Sequence, residues 1–129
     1  VDACMEVLKK SPTKPVVMQC NSSYPASTEE LDLAVIQTFK ERYGCTVGYS
    51  GHEFGLIPTV VAAVMGAKYL ERHITLNRTM WGSDQMASIE PGGLIKLAKY
   101  IDSYERAMGS SDKVVYDSEL GKRKSLRGV

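Results

Sequence analysis

Along this chain the apolar positions switch between a period of two and a period of three to four, and the switches mark out three repeats of strand, loop and helix. "VVMQC" (16–20) is a short apolar run rich in β-formers, and the turn residues of "NSSYPAS" follow it, which predicts a buried strand and then a loop. From Ser27 the pattern becomes helical. Ser27 and Glu30 have the spacing of a capping box, Leu31, Ala34, Val35, Thr38 and Phe39 recur at three and four, and Gly44 stands where a helix would end. "TVGYS" (46–50) predicts a second strand and "GHEFG" its loop. "LIPTVVAAVMGA" then predicts a helix that is apolar almost all round and so heavily buried, with Pro58 tolerated in its first turn. "YLERHIT" (69–75) predicts the third strand and "LNRTMWGSDQMASIE" a long loop. Pro91 opens a last helix, in which Leu94, Ala98, Ile101 and Met108 share a face before Gly109. Ahead of all this, "DACMEVLKKS" reads as the tail of a helix stopped by "PTKP".

The alternation predicts an α/β fold with parallel strands and right-handed helical crossovers. Residues 1–109 form one unit. Residues 110–129 lose the periodicity and turn basic through Lys113, Lys122, Arg123, Lys124 and Arg127, which predicts a solvated connector toward a further domain rather than a binding tail. With 43% hydrophobic and 24% charged residues the composition is that of a folded domain, not a disordered chain. A net charge of +1, from 16 basic and 15 acidic residues, argues against a nucleic-acid tract or a general attraction to membrane, so an anionic ligand would have to be held locally. No apolar run nears the roughly 20 residues of a membrane span and no leader is evident, so the expected location is cytoplasmic. The first residues already read as the inside of a helix, as in a piece of a longer protein. Three cysteines, Cys4, Cys20 and Cys45, fit neither a disulfide framework nor a zinc pattern and are expected to be reduced and mostly buried.

In parallel α/β folds, sites gather where the loops leave the strands. Each of the three strands here ends in polar residues: "CNSSY", "SGHE" and "ERHIT". The chain's two histidines, His52 and His73, fall at neighbouring strand ends, roughly 5 Å apart in a parallel sheet, where two imidazoles could reach one ion. Gly48, Ser50 and His52 alternate onto one face of their strand, and Tyr69, Glu71 and His73 onto one face of theirs. Plainer readings exist for each residue. A histidine at a strand end can be a hydrogen-bonded structural residue, Gly48 and Gly51 packing residues, Ser50 a cap, Cys20 a buried thiol, Trp81 a loop anchor and Asp84 a turn-former. Pattern alone therefore reaches a phosphate or metal site on half of an α/β barrel.

The motifs "QCNSSYP", "VGYSGHEFG", "GAKYLERHITLNRTMWGSDQMASIEP" and "ERAMGS" resemble, in this order and spacing, the C-terminal half of the catalytic barrel of the sialic acid synthase family. The resemblance implies a partial (β/α)8 TIM barrel, about its last three βα units, leading toward an antifreeze-like domain that this chain lacks. It implies a phosphoenolpyruvate-dependent transferase that condenses phosphoenolpyruvate with N-acetylmannosamine, or a related N-acyl amino sugar, to a sialic acid and phosphate. It further implies that His52 and His73 are protein ligands of a divalent metal, Mn2+ or Mg2+, and are catalytic together with Glu71. Ser22 and Ser50 are implied to contact phosphoenolpyruvate, Tyr24 and Asp84 to bind the sugar, and Arg72 to support the site. Ser22 stands where some members have asparagine and Gln85 where some have histidine, so the motifs do not specify the acyl group. The implied full-length enzyme is a homodimer, and its lysines for phosphate binding lie outside this chain, so the piece alone is expected to be inactive. Two other readings compete: a non-catalytic half-barrel acting as a folded or partner-bound module, and a thiol hydrolase pairing Cys20 with His52 or His73.

Overall fold

The computed structural model describes residues 1–128. Three parallel strands, β1 (Val16–Cys20), β2 (Thr46–Gly51) and β3 (Tyr69–Arg72), form a sheet in the order β1-β2-β3. The register pairs Met18 with Gly48 and Cys20 with Ser50 on one side, and Gly48 with Tyr69 and Ser50 with Glu71 on the other. The α/β alternation read from the sequence is therefore observed. Helices α2 (Val35–Tyr43) and α3 (Ile57–Val64) follow β1 and β2 and are the crossovers. Helix α4 (Pro91–Met108) comes after the long loop, and a short helix α1 (Asp2–Leu8) precedes β1. No helix among the described residues is long and apolar enough to cross a membrane.

Because side chains alternate across a strand, the sheet has two unlike faces. Val47 and Tyr49 point to the helix-covered face and form the core with Ile36, Ala62 and Ala67, all buried. Removing such side chains from water is the main stabilising term here. The other face is less covered: Tyr69 is 56% exposed, and Cys20 and Glu71 are exposed as well. On that side Gly48 lies against its neighbours so closely that a Cβ there would stand 2.8 Å from the Tyr69 carbonyl oxygen.

Several expectations are corrected. The helix predicted from Ser27 begins only at Val35. Residues Thr28–Glu30 form one 3₁₀ turn, and the chain then turns at Asp32 (φ 46°). The Glu30 and Leu31 carbonyls accept hydrogen bonds from Asn21 Nδ2 (3.0 Å) and Gln19 Nε2 (2.9 Å), so they are tied to β1 and its loop rather than to a continuing helix. Helix α3 buries its small residues Thr59, Ala62 and Ala63 but leaves Ile57, Val61 and Val64 exposed, so it is not buried all round. In α4 the buried position is Leu97, while Leu94, Ala98 and Met108 are exposed. The cysteines are not buried: Cys4 and Cys20 are exposed and Cys45 intermediate, because α1 buries only Met5 and Cys20 ends an outer strand on the less covered face. Residues 110–128 are exposed, yet they contain a helix, α5 (Asp117–Arg127). Tyr116 N–H donates to Glu119 Oε1 (3.3 Å) at its start. Asp117 and Glu119 in its first turn and Lys124 and Arg127 in its last complement the helix dipole.

Candidate active site

Strand β3 ends at Arg72, so His73 lies just beyond it rather than within it. Its carbonyl accepts from Ile89 N–H (2.9 Å), and Thr75 N–H donates to the Ile89 carbonyl (2.9 Å), which folds the long loop back along the strand end. At the end of β2, the His52 carbonyl accepts from Ala26 N–H (3.0 Å), so the loop after β1 is drawn in alongside. Three strand ends thus converge, and they bring Tyr24, His52 and His73 together. The two imidazole centroids are 5.0 Å apart with the rings edge-on. The Tyr24 ring stacks on His73 at 4.5 Å and meets His52 edgewise at 5.3 Å.

His52 is held at Nδ1 by a hydrogen bond, and His73 Nδ1 faces a carboxylate. His52 Nδ1 is 2.7 Å from the Asn21 carbonyl oxygen. A carbonyl only accepts, so Nδ1 carries the proton and Nε2 keeps its lone pair. The Asp84 carboxylate lies 3.5 Å from His73 Nδ1, facing the ring nitrogen at a distance longer than an ordinary hydrogen bond. That is the arrangement in which histidines present Nε2 as a ligand while a carbonyl or carboxylate fixes the ring. Among the described residues, no group of three or more His, Cys, Asp or Glu gathers to hold a metal, so the protein's share of such a centre here would be two nitrogens.

Around this pair the other expected residues divide. Ser50 Oγ donates to Glu71 Oε1 (2.7 Å) across β2 and β3, joining two of them. The Tyr24 hydroxyl is 2.9 Å from Ser88 Oγ, which donates to the Asp84 carbonyl (2.6 Å), so Tyr24 and Asp84 are linked through a buried serine. Ser22 is exposed in the loop after β1 and takes no part in these bonds. Trp81, which reads as a loop anchor, is 99% exposed; Ala87, Ser88 and Ile89 are the loop's buried residues.

Of the strongest polar cluster, only Arg72 is among the residues the motifs imply; Glu53, Tyr49 and Thr59 are not. Behind the histidines, on the helix-covered face, Glu53 is fully buried and pairs with Arg72 (Nη1 to Oε1, 2.9 Å). Tyr49 donates to Glu53 Oε2 (2.8 Å) and Thr59 to Oε1 (3.1 Å). Arg72 also donates to the Glu53 carbonyl (2.6 Å), the Gly55 carbonyl (2.8 Å) and Thr59 Oγ1 (2.8 Å). Burial and the Glu53 carboxylate raise the pKa of the Tyr49 hydroxyl well above its ordinary value, so it remains a donor. A signal did exist in the sequence: Val47, Tyr49, Gly51 and Glu53 share a face by alternation, and a carboxylate on an apolar face requires a cation.

Residues 1–113 match the family model described as the NeuB family. The chain belongs to the NeuB family. This bears out the resemblance carried by "GYSGHE" and "ERHIT". Over 110 residues, 84% of this NeuB chain and 31% of the relative, it is 43% identical to the human N-acetylneuraminate-9-phosphate synthase. It is 35% identical to the N,N'-diacetyllegionaminic acid synthase of Legionella pneumophila over 112 residues, 87% of this chain and 32% of that one. Its fold matches the crystal structure of an N-acetylneuraminic acid (sialic acid) synthetase from Leptospira borgpetersenii in complex with citrate. The TM-score is 0.81 with 32% identity, covering 98% of this chain and 45% of that one. The chain spans about a third of the length of the two named relatives, 31% and 32%.

Proposed function

We propose that this chain is the part of a sialic-acid-type synthase that carries its metal-binding histidines and part of its sugar site, and that its three βα units belong to a (β/α)8 barrel. The reaction is the condensation of phosphoenolpyruvate with N-acetylmannosamine or a related N-acyl amino sugar. The methylene carbon of phosphoenolpyruvate attacks the sugar's open-chain aldehyde, water adds to the resulting cationic carbon, and phosphate leaves with cleavage of its C–O bond. The relatives named as N-acetylneuraminate-9-phosphate and diacetyllegionaminic acid synthases support this class. The observation that carries it is the pairing of His52 and His73, centroids 5.0 Å apart, with Nδ1 of His52 engaged by a carbonyl and that of His73 facing a carboxylate.

His52 and His73 would hold a divalent ion, and nitrogen ligands favour Mn2+ over the oxygen-seeking Mg2+. Bound there, it supplies Lewis-acid polarisation of the sugar carbonyl and fixes its orientation. Ser22 and Ser50 bind phosphoenolpyruvate, Tyr24 and Asp84 bind sugar hydroxyls, and Glu71 accepts the Ser50 hydroxyl hydrogen bond until phosphoenolpyruvate takes it. The thiol-hydrolase reading finds little support, since His52 Nδ1 is bonded to Asn21, His73 Nδ1 faces Asp84, and Cys20 shares a side-chain hydrogen bond with neither. In the full-length protein, working as a homodimer in the cytoplasm, His52→Ala and His73→Ala should each abolish Mn2+-dependent turnover and leave the circular dichroism spectrum intact. Near-normal turnover in either variant would remove the pairing.

A further inference from the structure

Glu53 directly follows His52 and Arg72 directly precedes His73. Alternation therefore places the ion pair on one face of the sheet and the imidazoles on the other, one residue of backbone apart. Both charges are out of water, with side-chain exposures of 4% for Arg72 and 0% for Glu53. A buried pair of this kind is weak evidence for stability, because desolvating two ions offsets much of their attraction; its better-supported use is to fix register. The bonds here have that character. Arg72 reaches across from β3 to the Glu53 carboxylate, to the Glu53 backbone carbonyl (2.6 Å) and to the Gly55 carbonyl (2.8 Å), so it holds both side chain and main chain of the segment that follows His52. Arg72 Nε is buried and has no hydrogen-bond partner among the protein's described groups. The approach is also tight: a Cβ on Gly51 would lie 2.7 Å from Glu53 Oε2 and 2.9 Å from Arg72 Cδ.

We propose that the Glu53–Arg72 pair is a positioning device that locks the ends of β2 and β3 so that His52 and His73 face one ion. Neither residue touches substrate or metal; both act through the histidines. The inference rests on the metal reading above. Its test in the full-length protein uses Arg72→Lys, Glu53→Gln and the apolar double variant Glu53→Met/Arg72→Met, each melted to establish folding. Two quantities are read: Mn2+ affinity, from the electron paramagnetic resonance signal of free Mn2+, and the imidazole 15N shifts of His52 and His73 in metal-free protein, which report the tautomer. Every variant that melts cooperatively should lose the fixed Nδ1–H tautomer at His52 and bind Mn2+ roughly ten- to a hundredfold more weakly. The double variant decides most, since matched apolar side chains can restore packing without restoring register. A folded variant with the wild-type tautomer and wild-type affinity would overturn the proposal, and so would failure of all three to fold, which would make the pair a folding element. Wild-type protein with the fixed tautomer but no Mn2+ binding would sink the metal reading alone, and the tautomer would then decide the role of the pair.

Discussion

Ser50 has one hydroxyl proton, and it is given to Glu71 Oε1 at 2.7 Å. Toward any other partner it is then an acceptor, which is the wrong polarity for an anion. If Ser50 binds phosphoenolpyruvate as proposed, that ligand must draw the proton away from Glu71, and the pair would act as a latch that an anionic ligand opens. Ser50→Ala should weaken phosphoenolpyruvate by about 1.5–3 kcal/mol, the usual contribution of a hydrogen bond to a charged group, and leave Mn2+ affinity unchanged. Equilibrium titration of each ligand checks this, and unaltered phosphoenolpyruvate binding would remove Ser50 from the site. Tyr24 and Asp84 separate at the same scale. Tyr24→Phe loses the bond to Ser88 but keeps the ring against both imidazoles, so the Michaelis constant for the sugar should rise while phosphoenolpyruvate and metal bind as before. Asp84→Ala also strips the carboxylate from His73 Nδ1, and so should weaken sugar and Mn2+ together. Equal behaviour of the two variants toward Mn2+ would contradict that division.

Among the elements, β2 is the most constrained, because its glycines admit neighbours from both faces. Gly51→Ala would drive a methyl group to 2.7 Å from Glu53 Oε2 and 2.8 Å from Tyr49 Cε1, both buried and bonded to each other. Overpacking of this kind costs about 1–3 kcal/mol, which chemical denaturation would detect as a lower midpoint with an unchanged slope. An unshifted midpoint would show that the pair has room to move. What could be read in advance at this scale followed from periodicity. The strands and the meeting of His52 with His73 were legible because alternation is local and parallel strands fix the spacing. The start of α2 was not, because Gln19 and Asn21 take the Glu30 and Leu31 carbonyls from another element. Helix α5 was missed because capping and charge order mark it rather than an apolar face, and it buries no residue. The Glu53–Arg72 pair was not legible because Glu53 reads with the polar loop "GHEFG", which leaves Arg72 in its strand without a partner, whereas the sheet carries both to the buried side.

At the scale of the whole molecule, the sheet is unfinished. Among the described residues β1 and β3 each have a strand on one side only, and Val16 (41%) and Tyr69 (56%) expose large side chains there. Unpaired strand edges beside apolar surface recruit further strands. The human synthase is about three times as long, this chain covering 31% of it, and on the proposed reading the further residues of a protein of that length would cover these edges. The 129-residue chain on its own should therefore associate in a concentration-dependent way and form no sialic acid from phosphoenolpyruvate and N-acetylmannosamine in the presence of Mn2+. Sedimentation velocity across a range of concentrations, with product assayed in the same samples, tests both halves. A single monomeric boundary with slowly exchanging amides in Val16–Cys20 and Tyr69–Arg72 would show that the three strands are sufficient by themselves, and robust product formation would show that the site needs nothing beyond this chain.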